Sequence, residues 1–170
     1  MRSTFSAPLA ALSAALLLSA SLVSCAPQPP APAPAPQVQQ PRPVGVAYVG
    51  VLTGKDGEPL TGRDIRNTPP FSTAWRALLR RSGKIRESWL IRFDGPQTPV
   101  RMVSINGSEY MRVEGCKASS CAANRVVVLY SEKDKATYAL LKQNGERQWL
   151  GEPPDEIIQA YGQMEQKDGK

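Results

Sequence analysis

The feature that most constrains this chain is the hexapeptide Cys116-Lys117-Ala118-Ser119-Ser120-Cys121, which holds two of its 3 cysteines. It sits between two strand-like runs, Glu109–Glu114 and Asn124–Ser131. A cysteine pair in an exported chain suggests a disulfide. Closing six residues contributes only about 2 kcal/mol by restricting the unfolded chain, because a short loop has little freedom to lose. As a staple for the whole fold such a bridge is weak. As a clamp on the loop it is effective, since a pre-ordered loop does not lose that freedom again on binding. The loop reads as a disulfide-closed projection aimed at a partner; the plainer alternative is a bridge that only tidies a strand connection.

The case for export lies at the amino terminus. Arg2 is followed by an apolar, Ala- and Leu-rich stretch from Leu9 to Val23. That is short, and rich in small residues, for a membrane-spanning helix. It ends in Leu22-Val23-Ser24-Cys25, which resembles the lipobox of bacterial lipoproteins, where cleavage precedes a cysteine that is then acylated. A plain signal peptide with an incidental cysteine is the alternative. Several acyl chains of the palmitate kind would anchor firmly, each buried methylene adding about 0.8 kcal/mol. Ala26, rather than aspartate, follows Cys25; by resemblance to the sorting pattern this points to the outer membrane of a Gram-negative bacterium, facing the periplasm. Ala26–Pro43 is a Pro/Ala/Gln segment. Proline fixes φ and removes a donor, so the segment favours extended polyproline II and reaches about 55 Å at about 3.1 Å per residue. The expected organisation is a signal peptide over 1–24, an anchor and spacer over 25–43, and one folded domain over 44–170.

Within that domain Val44–Leu52 reads as a strand and Gly54–Pro70 as a loop. Phe71, Trp75, Leu78 and Leu79 share one face of a helix, with Arg76 and Arg80 towards the other side. Ser72 or Thr73 is the expected cap and Gly83 the stop. The arginines read as a solvated face. Ser88–Phe93 reads as a strand. Val100–Ile105 and Glu109–Glu114 flank Asn106-Gly107, the strongest short hairpin signal, because a type I′ turn needs positive φ at both central residues. Val126-Val127-Val128-Leu129-Tyr130 is apolar on both faces, as a central strand is. Thr137–Lys142 and Arg147–Leu150 flank a second Asn-Gly, Asn144-Gly145, and Asp155–Gln163 reads as a short helix. The class is α+β: a central antiparallel β-sheet with flanking helices and a protruding disulfide-closed loop.

Chemistry is mostly excluded. The chain has no histidine, so it holds no Ser-His-Asp or Cys-His pair and no His-ligated metal. Two cysteines do not make a structural zinc site, the spacing is not C-x-x-C, and no glycine-rich phosphate loop is present. No cofactor, no metal and no enzyme activity are expected. Without Arg2 and Arg42 the chain has 19 basic and 15 acidic residues. These are spread along the sequence rather than interleaved with aromatics, which argues against nucleic acid as a partner.

Several of these segments together resemble the inhibitor of vertebrate lysozyme family. They are Phe71-Ser72-Thr73-Ala74-Trp75, Ser88-Trp89-Leu90, Thr98-Pro99 through Glu109-Tyr110, the cysteine loop, and Arg125-Val126-Val127-Val128 followed by Ser131-Glu132-Lys133. The resemblance runs from Phe71 to about Leu150 and leaves out the anchor and spacer. It implies a loop that plugs the substrate cleft of C-type lysozyme, a possible action on the cell's own lytic transglycosylases, and a possible homodimer. A glycosidase cleft presents two catalytic carboxylates, between which a rigid loop carrying donors can sit. The family loop reads Cys-Lys-Pro-His-Asp-Cys. Cys116, Lys117 and Cys121 match it; Ala118, Ser119 and Ser120 stand at the proline, histidine and aspartate. A serine hydroxyl donates one hydrogen bond, is shorter than imidazole and carries no charge. The expected function is therefore a lipoprotein that binds and inhibits a peptidoglycan-cleaving glycosidase through Cys116–Cys121. The alternative is an envelope interaction or assembly module on the same scaffold.

Overall fold

The computed structural model describes residues 43–168. The expected signal peptide, Cys25 and all but the last residue of the spacer lie outside the described residues. Six strands form one antiparallel sheet in chain order: β1 (Val46–Val51), β2 (Arg101–Ile105), β3 (Ser108–Cys116), β4 (Arg125–Ser131), β5 (Ala136–Gln143) and β6 (Glu146–Leu150). Helices α1 (Gly62–Ile65), α2 (Phe71–Arg81) and α3 (Ser88–Arg92) lie between β1 and β2, and α4 (Asp155–Asp168) closes the chain. This is the α+β antiparallel architecture expected from the sequence. None of the described helices is long and apolar enough to cross a membrane.

Both Asn-Gly pairs form the expected turns. Asn106 and Gly107 have φ of 50° and 87°, and Asn144 and Gly145 of 53° and 89°. Positive φ at both positions matches the turn twist to that of the strands. The register follows: Val103 faces Tyr110 across the first hairpin, and Lys142 faces Arg147 across the second.

β4 is the strand apolar on both sides. Val126, Val128 and Tyr130 pack with α2 and α3, whereas Val127 and Leu129 pack with α4. Burying both faces of one strand puts a helix layer on each side of the sheet. On the first side Phe71, Trp75, Leu78 and Leu79 of α2 are all buried. Phe71 meets Tyr130 edge-on at 5.7 Å between ring centroids, and the Trp75 indole N–H donates to the Leu90 carbonyl at 2.9 Å. On the second side Ile157, Ala160, Tyr161 and Met164, spaced three and four apart, cover Val103, Ile105, Val127 and Leu129.

The second side also carries an ionic clamp. Arg112 of β3 is 3% exposed. It donates to the Tyr48 hydroxyl of β1 at 2.9 Å and pairs with Glu114 at 2.8 Å and with Asp168 of α4 at 2.5 Å. Burial opposes the Arg112 charge, but the Asp168 bond and the Glu114 charge outweigh it and raise its pKa further. Burial likewise works against Asp168, and the Arg112 bond and charge still hold its carboxyl below the usual carboxylate range.

Four expectations are corrected. Ser88–Phe93 is helical: Ser88–Arg92 forms α3, and Phe93 ends it in the left-handed region at φ 52° with its N–H on the Trp89 carbonyl. A five-residue apolar run does not separate strand from helix by periodicity. Here the helical turn buries Trp89 and Leu90 against α2 and leaves the Leu90 carbonyl free for Trp75. The expected loop Gly54–Pro70 contains α1, whose start is marked by the Thr61 N–H donating to the Asp64 carboxylate at 2.7 Å. Neither Ser72 nor Thr73 caps α2: the helix begins behind Pro70, and Ser72 is buried inside its first turn. Finally, α4 runs past Gln163 to Asp168, which the Arg112 clamp holds.

Candidate functional site

β3 carries the chain to Cys116, which lies opposite Arg125 in the last rung of the β3–β4 ladder. Beyond that rung the disulfide ties Cys116, the last residue of β3, to Cys121 in the loop before β4, with Cα atoms 4.9 Å apart. The Lys117 N–H donates to the Asn124 carbonyl at 3.1 Å and closes the loop at its neck. Inside, the Ser120 carbonyl accepts from Asn124 N–H at 2.9 Å and from Ala123 N–H at 3.1 Å, while Ser120 N–H donates to Lys117 at 3.1 Å. The backbone N–H groups of Lys117, Ser120, Ala123 and Asn124 thus find partners within this short excursion.

Asn124 is the support. It is 7% exposed. Its side-chain amide donates to the Ser120 hydroxyl at 3.1 Å, and its side-chain carbonyl accepts from Asn144 N–H at 3.3 Å. The neck is therefore hung on the β5–β6 turn. On the opposite side Gly95 N–H donates to the Cys116 carbonyl at 3.0 Å. A Cβ at Gly95 would stand 2.5 Å from the Cys116 carbonyl oxygen and Sγ, and one at Gly115 would stand 2.4 Å from the buried Phe93 ring. Both glycines let the backbone close on the loop root at a distance no side chain permits.

Of the six expected residues, Lys117, Ala118 and Ser119 are exposed, Ser120 and Cys121 are half-buried, and Cys116 is buried. Ser119 has φ 66°, and its hydroxyl donates back to the Ala118 carbonyl at 2.5 Å. The outward surface of the loop is thus Lys117 to Ser119, while Ser120 faces its own neck. Asn124, Gly95 and Gly115 were not singled out by the sequence: Asn124 read as the start of a strand, and the two glycines act through neighbours distant in the chain.

Beside the root, Arg125, Lys142 and Arg147 form one row across β4, β5 and β6. Arg125 pairs with Glu114, and Arg147 pairs with Glu165 at 2.6 Å. Among the described residues, no group of histidine, cysteine and acidic side chains is gathered to hold a metal. The arrangement suits contact by an exposed, pre-ordered loop.

Residues 70–167 match the family model described as inhibitor of vertebrate lysozyme (Ivy). A Pseudomonas aeruginosa protein, the inhibitor of vertebrate lysozyme, is 24% identical over 97 residues, covering 57% of this chain and 59% of the relative. The chain thus matches less than two thirds of that relative's length. The family match covers the helix α2, every strand from β2 to β6, the cysteine loop and nearly all of α4. With more than half of its residues matched, this chain belongs to the inhibitor of vertebrate lysozyme (Ivy) family, a family of inhibitors rather than enzymes.

Proposed function

We propose that this chain is an envelope lipoprotein, acylated at Cys25, that binds a peptidoglycan-cleaving glycosidase by inserting the Cys116–Cys121 loop into its cleft. The observation that supports this most is the build of the loop: an exposed tip from Lys117 to Ser119 on a neck fixed by the disulfide, Asn124 and Gly95. Such a tip loses little freedom on docking. Its contacts would be the Lys117 ammonium, the Ser119 hydroxyl and the backbone between them, all available to carboxylates in a cleft. C-type lysozyme is the first target to test, because family membership points there.

The backbone of the loop accommodates the residues that the family resemblance implies. Ser119 sits at φ 66°, a region that histidine, asparagine and aspartate enter more readily than most residues. Ser120 Oγ accepts from Asn124, and an aspartate oxygen at that position accepts the same bond. The test is inhibition of a C-type lysozyme by the full chain carrying Cys25→Ser, beside the same chain with Ser119→His and Ser120→Asp. Inhibition by the first supports the reading and assigns the contact to Lys117 and the loop backbone. Inhibition by the second alone shows that the scaffold works and the target has changed. If neither inhibits, and lytic transglycosylases are also unaffected, an interaction module without inhibition takes its place. Acylation is read separately, by palmitate labelling that disappears with Cys25→Ser.

One observation bears on the choice between the two targets. Without residues 1–24, and so without Arg2, the chain keeps 20 basic and 15 acidic residues, and a basic lysozyme would be repelled rather than steered. A lytic transglycosylase with an acidic surface would meet no such barrier.

A further inference from the structure

We infer that the outer surface of the α1–α3 layer is a docking face for the carboxylates of peptidoglycan. Residues 63–94 hold eight basic side chains against Asp64, Glu87 and Asp94. The fold gathers them on one side of the sheet, because α1, α2 and α3 all cover the same face. Hydrogen bonds and helix spacing bring Arg63, Arg66, Arg76, Arg80 and Arg92 into one neighbourhood. Arg63 donates to the Asp94 carbonyl at 3.3 Å, Arg66 to the Arg92 carbonyl at 3.0 Å, and Arg76 to the Asn67 side chain at 3.3 Å. Arg80 lies one helical turn beyond Arg76. Within the layer Arg92 pairs with Asp94 at 2.8 Å, but Arg63, Arg66, Arg76, Arg80, Arg81 and Arg86 have no ion-pair partner among the described residues, whereas Arg101, Arg112, Arg125 and Arg147, elsewhere in the fold, are all paired with carboxylates. Several unpaired guanidinium forks on one layer match planar carboxylates carried along a polymer, each contact weak and the set additive.

Two observations favour the wall over a bilayer. The large apolar residues exposed among the described residues are Tyr48, Val49, Val51 and Ile158, none of them in this layer, so it offers nothing to insert between acyl chains. Val44, where the chain leaves the spacer, packs in the α4-side core, across the sheet from the arginines. The proposal rests on the reading that the chain resides in the envelope, but it does not depend on the loop or on inhibition.

The test is co-sedimentation of the full chain carrying Cys25→Ser with purified sacculi. Binding is expected at low salt, falling at least tenfold between 50 and 300 mM NaCl by screening, and lost when the wall carboxylates are amidated. Arg76→Glu with Arg80→Glu is expected to weaken binding at least tenfold, and Arg76→Gln with Arg80→Gln by a smaller factor. Lys55→Glu with Lys133→Glu makes the same charge change at exposed sites outside the layer and is expected to change little. No sedimentation, equal loss from both charge-reversed pairs, or preference for phosphatidylglycerol vesicles over sacculi would overturn the proposal. A chain that binds sacculi and inhibits no glycosidase would keep this inference and remove the proposed function.

Discussion

The neck and the tip of the cysteine loop are built in opposite ways. At the neck, Cys116, Ser120 and Asn124 are held by the β3–β4 ladder, the β5–β6 turn and the α3–β2 connection together. At the tip, Lys117 and Ala118 reach solvent with side chains that hydrogen-bond to nothing among the described residues, and Ser119 bonds only to its neighbour. Rigidity is concentrated one residue behind the surface that would touch a partner. Changes at the neck should therefore register as stability, and changes at the tip as binding.

The largest effect is expected where the neck meets the core. Gly115→Ala places a methyl 2.4 Å from the ring of Phe93, which is fully buried among Phe71 and Trp75. Neither backbone nor ring has room to give, so a loss of about 3 kcal/mol is expected, read from the urea midpoint. Replacing both loop cysteines by alanine comes next, at about 2 kcal/mol for a closure of this length. The two are separable: the glycine variant should loosen the Phe93 packing seen in near-ultraviolet circular dichroism, and the cysteine variant should leave it intact. A cysteine variant that loses more stability than Gly115→Ala would mean the bridge, not the packing, carries the neck.

Much of this division was hidden in the sequence for a physical reason. The tip and its bridge were legible because they are local: two cysteines with four residues between them, set between strands. The hairpins at Asn106-Gly107 and Asn144-Gly145 were legible because the turn demands those residues. The two-faced strand β4 was legible from its unbroken apolar run. The neck was not. Asn124 acquires its role only because the β5–β6 turn arrives beside it, and Gly95 because α3 ends against β3. α3 itself was misread because a five-residue apolar run suits either period. The arginines of α2 read as a solvated face, and Arg76 and Arg80 are indeed exposed; what α1 and α3 bring next to them is not local information.

Two smaller effects sharpen the comparison from the neck side. Asn124→Ala removes hydrogen bonds to Ser120 and Asn144 and leaves the Asn144 N–H and the Ser120 hydroxyl to find water; about 1 kcal/mol is expected. Its exchange signature is specific, with faster amide exchange at Asn144, whose N–H loses its acceptor, but not along β4. Acid should act more weakly on the same region. Asp94, next to Gly95, is held below the usual carboxylate range by its hydrogen bond from Arg92, and Asp64 by its hydrogen bonds from Thr61. A carboxyl depressed in the folded state stabilises above its unfolded value, about 3.9, and that contribution is lost as pH falls through the folded one. Stability should be flat from pH 7 to 5 and decline below about 4, with Asp94→Asn removing part of the decline.

The smallest effect on stability belongs to the tip and decides the comparison. Replacing Lys117 and Ser119 together by glycine removes one exposed ammonium and one hydroxyl bonded only to its neighbour. Glycine also suits the φ of 66° at position 119 better than serine does. Loss of side-chain contacts is then minimal, and relief at position 119 offsets the added freedom of the unfolded chain, so the urea midpoint should move by no more than about 0.5 kcal/mol. Binding to the target glycosidase should nevertheless fall at least tenfold, because the two side chains free to meet it are gone. If the double variant instead destabilises the fold as Asn124→Ala does, the tip is part of the neck and the loop is a strand connection. If stability and binding both stay unchanged, the partner is recognised elsewhere on the molecule, and the loop backbone contributes only its shape.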